Sequence, residues 1–305
     1  MINEKVTENT STVKTYDFTT GEALINLCKS EGISISEVMI RREMYRSEIS
    51  REIALSHMME NLQVMKQAIE NGITEKQSSV TGFTGGDSIK MQRFGQRSYM
   101  GEDMCELVAA ALGVVEVNSS MGKIVAAPTA GSAGVLPACL MFAQKRFGFD
   151  DDVLINGLFA AAAVGMIIAE HATLAGSEGG CQAEVGSASA MAAAALCDMR
   201  GALPSTSLNA AGIAIKMILG LVCDPIAGLV ECPCIKRNAM GAVNAVLAAD
   251  MALSGITSLI PFDEVIQAMR SVGRQMNVDL RETAKGGLAA TPTGKELMKR
   301  LREHK

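Results

Sequence analysis

The sequence predicts a mainly α protein, a single all-helical domain with glycine-rich loops between its helices. Three observations carry that expectation. Aromatics are only 4% of the 305 residues and Trp is absent, so the 48% of hydrophobic residues is chiefly Ala, Leu, Ile, Val and 20 Met. Apart from the β-branched pair, these are good helix formers. Apolar residues recur at helical spacing over long stretches, whereas alternating strand patterns are scarce. KIVAA at 123–127 is the best short strand candidate. No internal repeat, low-complexity tract or linker divides the chain, so one domain is expected over 17–305 behind a flexible polar tail, MINEKVTENTSTVKTY, at 1–16.

Taken in order, residues 34–72 read as one long helix or a kinked pair. Ser34 and Glu37 have the S-x-x-E spacing of a capping box. Ile49, Ile53, Leu62, Met65 and Ile69 fall on one helix face, and Asn71-Gly72 reads as a stop. TGFTGGDSIKM at 81–91 reads as a loop. Helical blocks follow at about 101–113, 132–147, 150–172, 182–199, 207–221, 237–254, 262–276 and 293–303, with Gly, Pro, Asn or Ser at the joints. Four stretches, 81–88, 118–134, 176–187 and 284–294, are rich in Gly and small polar residues. Such stretches are most simply turns, but loops on a rigid scaffold also carry function.

Composition narrows the function. The net charge of −5 is scattered without a basic stripe, so no nucleic-acid partner is expected. Two apolar stretches, 153–169 and 208–222, are shorter than the roughly 20 residues a membrane span needs. They contain Asn156 and Lys216 and are rich in Ala and Gly, so buried helices are expected and no membrane. No secretory leader opens the sequence, and the eight Cys point to a reducing, cytoplasmic setting in which disulfides are not expected.

Cys28, Cys105, Cys139 and Cys197 lie inside helical apolar patterns and read as small buried hydrophobes. Cys181, Cys223, Cys232 and Cys234 differ, sitting at glycine or proline breaks in GGCQ, VCDPIAG and ECPC. No pair makes the C-x-x-C of a zinc ribbon. Soft thiolates in irregular backbone suit an iron–sulfur cluster, and equally a plain structural metal site. Spacing leaves both open.

Four longer motifs carry a resemblance: APTAGSAGVLPA at 127–138, GSEGGCQAEVGSASAMAAAAL at 176–196, LVCDPIAGLVECPCIKRNAMGAVNA at 221–245 and GGLAATPTG at 286–294. Through them, roughly residues 20–300 resemble the α chain of the iron–sulfur-dependent L-serine dehydratases, or L-serine ammonia-lyases. The resemblance implies a lyase that removes the α proton and hydroxyl of L-serine and ends at pyruvate and ammonia. It implies a [4Fe-4S] cluster held by Cys181, Cys223 and Cys234, with Cys232 at a position usually apolar in the family. Three thiolates leave one iron open as a Lewis acid, which suits a leaving group as poor as hydroxide. No pyridoxal phosphate is expected, because Lys123 lies in SSMGKIV, which does not match the motif of the enzymes that use it.

With L-serine as substrate, TAGSAG at 129–134 precedes a helix and can offer N–H groups to its carboxylate. Thr129, Gly131 and Ser132 are the candidates, with helix capping by Thr129 or Ser132 as the plain alternative. Asn118, Ser119 and Ser120 form a second small polar group beside Lys123, which can pair with a carboxylate or be an ordinary surface charge. Lys123, Thr129 and Ser132 are the candidate catalytic residues. Glu178 and Glu184 flank Cys181. Of His57, His171 and His304, none falls at a recognised functional position, so the general base is unassigned.

In the family a Ser-Ser-His motif lies in a β region, a separate polypeptide in two-subunit members. A separate β subunit is therefore expected to complete the site. Single-chain relatives also carry a Cys near the C-terminus that can reach the fourth iron; this sequence ends GGLAATPTGKELMKRLREHK, without one. The competing reading is non-enzymatic: a helical subunit whose thiolates hold a structural or redox-sensing metal.

Overall fold

The computed structural model describes residues 15–303. Among them are thirteen α-helices and no regular strand. KIVAA therefore forms no strand: residues 123–127 are irregular, and a β-branched run without a partner strand has no ladder to join. Most of the polar tail expected at 1–16 lies outside the described residues, as does His304. Tyr16, at the end of that tail, accepts a hydrogen bond from Arg41 Nη1 at 2.9 Å.

Helix α1 (Gly21–Glu31) begins where Thr20 Oγ1 accepts from Ala23 N–H, and ends at Gly32 in the left-handed region. The stretch 34–72 is the kinked pair: α2 (Ile35–Arg46) and α3 (Arg51–Thr74). Ser34 caps α2 by accepting from Glu37 N–H, and Ser50 caps α3 in the same way from Ile53 N–H. The break leaves Ile53 exposed, while Leu62, Met65 and Ile69 are buried as expected. Asn71-Gly72 does not stop α3. Gly72 is instead where α3 crosses α5 (Glu102–Ser119): a Cβ on Gly72 would lie 2.4 Å from the Gly113 carbonyl carbon. Between α3 and α5, a short α4 (Asp87–Phe94) forms where a loop was expected. Buried Glu116 holds it, accepting from Asp87 N–H at 2.7 Å and Ser88 Oγ at 3.0 Å.

The remaining helices follow the sequence blocks closely: α6 (Val135–Phe147), α7 (Asp151–His171), a single turn α8 (Gly176–Gly179), α9 (Ser187–Met199), α10 (Pro204–Ile218), α11 (Cys234–Leu253), α12 (Phe262–Gln275) and α13 (Pro292–Glu303). The core is organised around α9, which packs against α6, α7, α10 and α11. Every residue of α9 except Asp198 is buried. Its sequence, SASAMAAAALCDM, explains how one helix can be enclosed on all sides. Alanine favours the helix and lets neighbouring backbones approach closely. One of its buried hydroxyls is tied to the neighbouring helices: Ser189 Oγ donates to Gly241 O of α11 at 2.9 Å, and Asn244 donates to Ser189 Oγ at 2.7 Å and to Ala214 O of α10 at 3.0 Å, whereas Ser187 Oγ is buried without a partner. One amide thereby joins three helices and satisfies groups that are costly to bury alone.

Of the two apolar stretches, α7 is the one helix among the described residues long and apolar enough to cross a membrane. Within the fold, 67% of its most apolar window is buried, packed on α9, α2 and α3.

Candidate active site

The turns that lead into α6, α9 and α11 meet at one end of the helical core. Each brings one of the sequence motifs. Ahead of α9, α8 ends at Gly180, Cys181 follows, and a wide π-helical turn spans Gln182–Gly186. Such turns add a residue to the helical register and recur at functional sites. After α10 the chain runs as coil through Cys223, whose backbone pairs with 280–282: Cys223 N–H donates to Leu280 O at 2.8 Å and Glu282 N–H to Cys223 O at 2.6 Å. Cys234 is the first residue of α11.

Cys181, Glu184 and Cys223 come together, their sulfur and carboxylate ligand atoms all within 4.8 Å of one another. Both sulfurs are buried, and all eight cysteines are free thiols. Cys223 Sγ lies 3.9 Å from Glu184 Oε2, and Thr129 Oγ1 donates to Glu184 Oε1 at 2.8 Å. The opposite side of Cys181 is met by Arg237 Nη1 at 3.3 Å. Gly176 makes this packing possible. A Cβ there would stand 2.6 Å from Glu184 Oε2 and 3.0 Å from Cys223 Sγ.

The electrostatics of the group are internally consistent. A hydrogen bond from Cys223, followed by the Arg237 charge, holds the Cys181 thiol below its ordinary value. Cys223, as the donor, is pushed up by Cys181 and by burial. Cys234 is pushed up by burial first, then by the charges of Cys181 and Glu184. Burial raises the Glu184 carboxyl. Cys234, buried as the first residue of α11, feels the charges of this group, but its sulfur lies outside the tight Cys181–Glu184–Cys223 set. Cys232 is half-buried beside it. Cys28, Cys139 and Cys197 are buried thiols raised by desolvation, Cys28 and Cys197 to about 12, as befits packed apolar side chains.

The 129–134 loop adjoins this group. Thr129 and Ser132 form a capping box, with their hydroxyl oxygens 3.1 Å apart, at the short 3₁₀ turn before α6. The capping reading therefore holds. Gly131 faces the Glu184 carboxylate. Asn238, one turn into α11, fastens the loop by donating to Gly131 O at 2.7 Å and accepting from Gly134 N–H at 3.0 Å.

The other polar candidates are placed differently. Asn118 donates to Ala130 O at 3.4 Å, tying the end of α5 to the loop. Ser119 and Ser120 both turn their hydroxyls onto Glu116 O, at 3.0 and 2.8 Å. Lys123 is exposed and makes no ion pair among the described residues. Glu178 faces away, accepting from Thr173 Oγ1 at 2.7 Å. His171 Nε2 lies 2.8 Å from Thr19 O, a structural contact at the end of α7. Sequence reasoning gave no role to Arg237, Asp224 or Asn238. The signal available was helical spacing, since Arg237 and Asn238 follow Cys234 by three and four residues and so share its face.

The donor set fits a metal group better than a disulfide or an ordinary core. Buried thiols from separate segments converge with a carboxylate, in backbone kept small by glycine and beside an arginine that offsets thiolate charge. Comparison with known proteins agrees. The family model described as serine dehydratase alpha chain matches residues 30–289. The probable L-serine dehydratase alpha chain of Bacillus subtilis (strain 168) is 51% identical over 280 residues, covering 91% of this chain and 93% of that one. The L-serine dehydratase alpha chain of Peptoniphilus asaccharolyticus is 44% identical over 282 residues, covering 91% and 96%. The L-serine dehydratase of Streptomyces coelicolor is 39% identical over 285 residues, which are 91% of this chain but 62% of that longer protein.

Proposed function

The chain belongs to the serine dehydratase alpha chain family, and from that premise we propose that it is the α subunit of an L-serine ammonia-lyase, converting L-serine to pyruvate and ammonia. The observation that carries the reading is the meeting of Cys181, Glu184 and Cys223 with the Thr129–Ser132 turn. The loop we assign to the substrate carboxylate thus adjoins the residues we assign to the metal group. Elimination removes the α proton and the hydroxyl together as water and leaves aminoacrylate, which tautomerises to the imine; water then releases ammonia and pyruvate.

Cys181, Cys223 and Cys234 are the residues that would hold a [4Fe-4S] cluster. When bound, it would supply a Lewis acid at an iron without a cysteine ligand, easing departure of the hydroxyl. The chain's own contribution is placement. The amides and hydroxyls of Thr129, Gly131 and Ser132 orient the substrate carboxylate; each hydroxyl has one proton, so donating it to substrate replaces the bond it now makes to Glu184 or Thr129 O. Asn118 holds the end of α5 against that loop, while the Ser119 and Ser120 hydroxyls close the same helix end on Glu116 O, beside the proposed carboxylate site. Lys123, exposed and without an ion pair among the described residues, offers its ammonium to a carboxylate of substrate or partner. Thr129 and Glu184, both half-buried and hydrogen-bonded to each other, line the carboxylate side.

No residue here is assigned as the base for the α proton, which we place on a separate β subunit. Two facts support a second chain. The alpha chains of Bacillus subtilis and Peptoniphilus asaccharolyticus are covered over 93% and 96% of their length, whereas the L-serine dehydratase of Streptomyces coelicolor is covered over 62%. And Val80, Phe83, Met121 and Leu229, around the loop that Thr81 anchors to Glu231, are large apolar side chains left exposed. The eight free thiols suit the cytoplasm.

Anaerobic purification, iron and sulfide analysis, and electron paramagnetic resonance of the reduced protein with and without L-serine test the reading. The expected result is close to four irons per chain, a serine-dependent spectrum, and pyruvate formation once the β subunit is added. Zinc in place of iron, or iron indifferent to serine, would instead support a structural or redox-sensing metal site.

A further inference from the structure

We propose that Arg237 is a positioning residue for the cluster-binding sulfurs, setting the electronic state of the metal group through Cys181 rather than by touching substrate. The inference rests on the iron–sulfur reading above. Arg237 stands one turn after Cys234 on α11, with its side chain only 14% exposed. Its guanidinium serves three partners from two separate segments. Nη1 lies 3.3 Å from Cys181 Sγ and donates to Val222 O at 2.8 Å; Nη2 donates to Asp224 Oδ1 at 2.7 Å. Asp224, itself 4% exposed, accepts through its other oxygen from Leu288 N–H at 2.7 Å. Gly287 allows this approach: with φ +57°, a Cβ there would fall 2.3 Å from Asp224 Oδ2.

One planar fork thus spans every segment that supplies a sulfur. It is rooted beside Cys234, touches Cys181 directly, grips the carbonyl that precedes Cys223, and reaches the 287–288 backbone through Asp224. A lysine could not do this, because a single ammonium lacks the fixed, divergent donors of a guanidinium. Stability alone is a weak account of the arrangement, since a buried ion pair recovers little beyond its desolvation cost. Nor does stability explain an N–H aimed at sulfur, a poor acceptor unless it carries charge. A donor and a positive charge at a cluster sulfur stabilise the more negative, reduced state and so raise the reduction potential.

The test uses anaerobically prepared wild-type, R237K and R237Q αβ enzyme, with potentiometry followed by electron paramagnetic resonance, iron retention in air, and thermal melting after iron removal. Arg237→Gln is expected to lower the cluster's reduction potential and shorten its life in air. Arg237→Lys, keeping the charge but not the fork, is expected to lie between Gln and wild type. A potential unchanged in R237Q, or equal to wild type in R237K, with a shift only in melting, overturns the proposal and leaves Arg237 a structural tie. Should R237Q fail to load iron, R237K decides alone by the same criterion. Wild-type protein without iron and sulfide would overturn the underlying reading before any variant is compared.

Discussion

At Gly176 there is no space for even one methyl group. Its missing Cβ position is within 3.0 Å of both Glu184 Oε2 and Cys223 Sγ. Gly176→Ala must therefore push the carboxylate or the thiol aside. Overpacking of this kind typically costs about 1–3 kcal/mol, and here the displaced atoms are the site itself. The variant is expected to melt lower and to retain less iron per chain, and unchanged iron content would count against the site. Cys232 and Cys234 provide a second contrast, two residues apart in ECPC. Cys234 is buried at the start of α11 within reach of the charges of Cys181 and Glu184, whereas Cys232 is half-buried. Cys234→Ser should abolish iron retention and Cys232→Ser should leave it near wild type; the reverse pattern would exchange their roles. Glycine and proline breaks set Cys181, Cys223, Cys232 and Cys234 apart from the helical cysteines, and the choice among the four rested on the resemblance. The Arg237–Asp224 pair was not, because its value lies in reaching Cys181 and Leu288, which only the folded chain brings near.

Among the elements, α9 shows how composition becomes architecture. Ala193 is fully buried on a helix packed against four others. Ala193→Leu would add side-chain atoms where no face is free, an overpacking cost again of about 1–3 kcal/mol. A lowered midpoint in chemical denaturation, with the helical circular dichroism of the folded state preserved, is the expected result. Most helices could be read from periodicity and capping residues. The exceptions are instructive. α1 and α4 are short, and α4 depends on Glu116 from another helix rather than on its own pattern. Asn71-Gly72 looked like a stop because glycine is a poor helix former; its role is instead to admit Gly113 of α5. KIVAA had strand-forming residues but no neighbour to pair with. Within the loops, Asn118, Ser119 and Ser120 looked like ligands because small polar residues serve ligands and helix ends alike, and hydrogen bonding to Glu116 and Ala130 decides which.

At the scale of the whole molecule, acidic groups fasten the first helices to the rest. Glu37 bonds Arg41 and Arg51, joining α2 to α3, and Asp151 bonds Lys66 at 2.5 Å, joining α3 to α7. Lys66 and Gln144 hold Asp151 below its ordinary 3.8. Burial opposes the shift in Glu37, but Arg51 and Arg41 still hold it below 4.5. Because these folded-state values are depressed, the stabilisation is complete above the ordinary values and is lost as pH falls through the folded ones. Stability should therefore decline below about pH 4.5, and Asp151→Asn should flatten that decline, as followed by thermal melting across pH. These partners are partly exposed, so added salt should weaken the same effect.

The enclosure of α9 has a consequence for descent as well as for packing. A helix that borders protein on every side offers selection almost no neutral substitutions. Across orthologues its Ala, Ser and Cys positions should exchange only among Ala, Ser, Gly and Cys, while the exposed faces of α12 and α13 drift freely. The 187–199 segment would then keep the slowest evolutionary clock in the chain, and distant kinship would persist there after it had faded elsewhere.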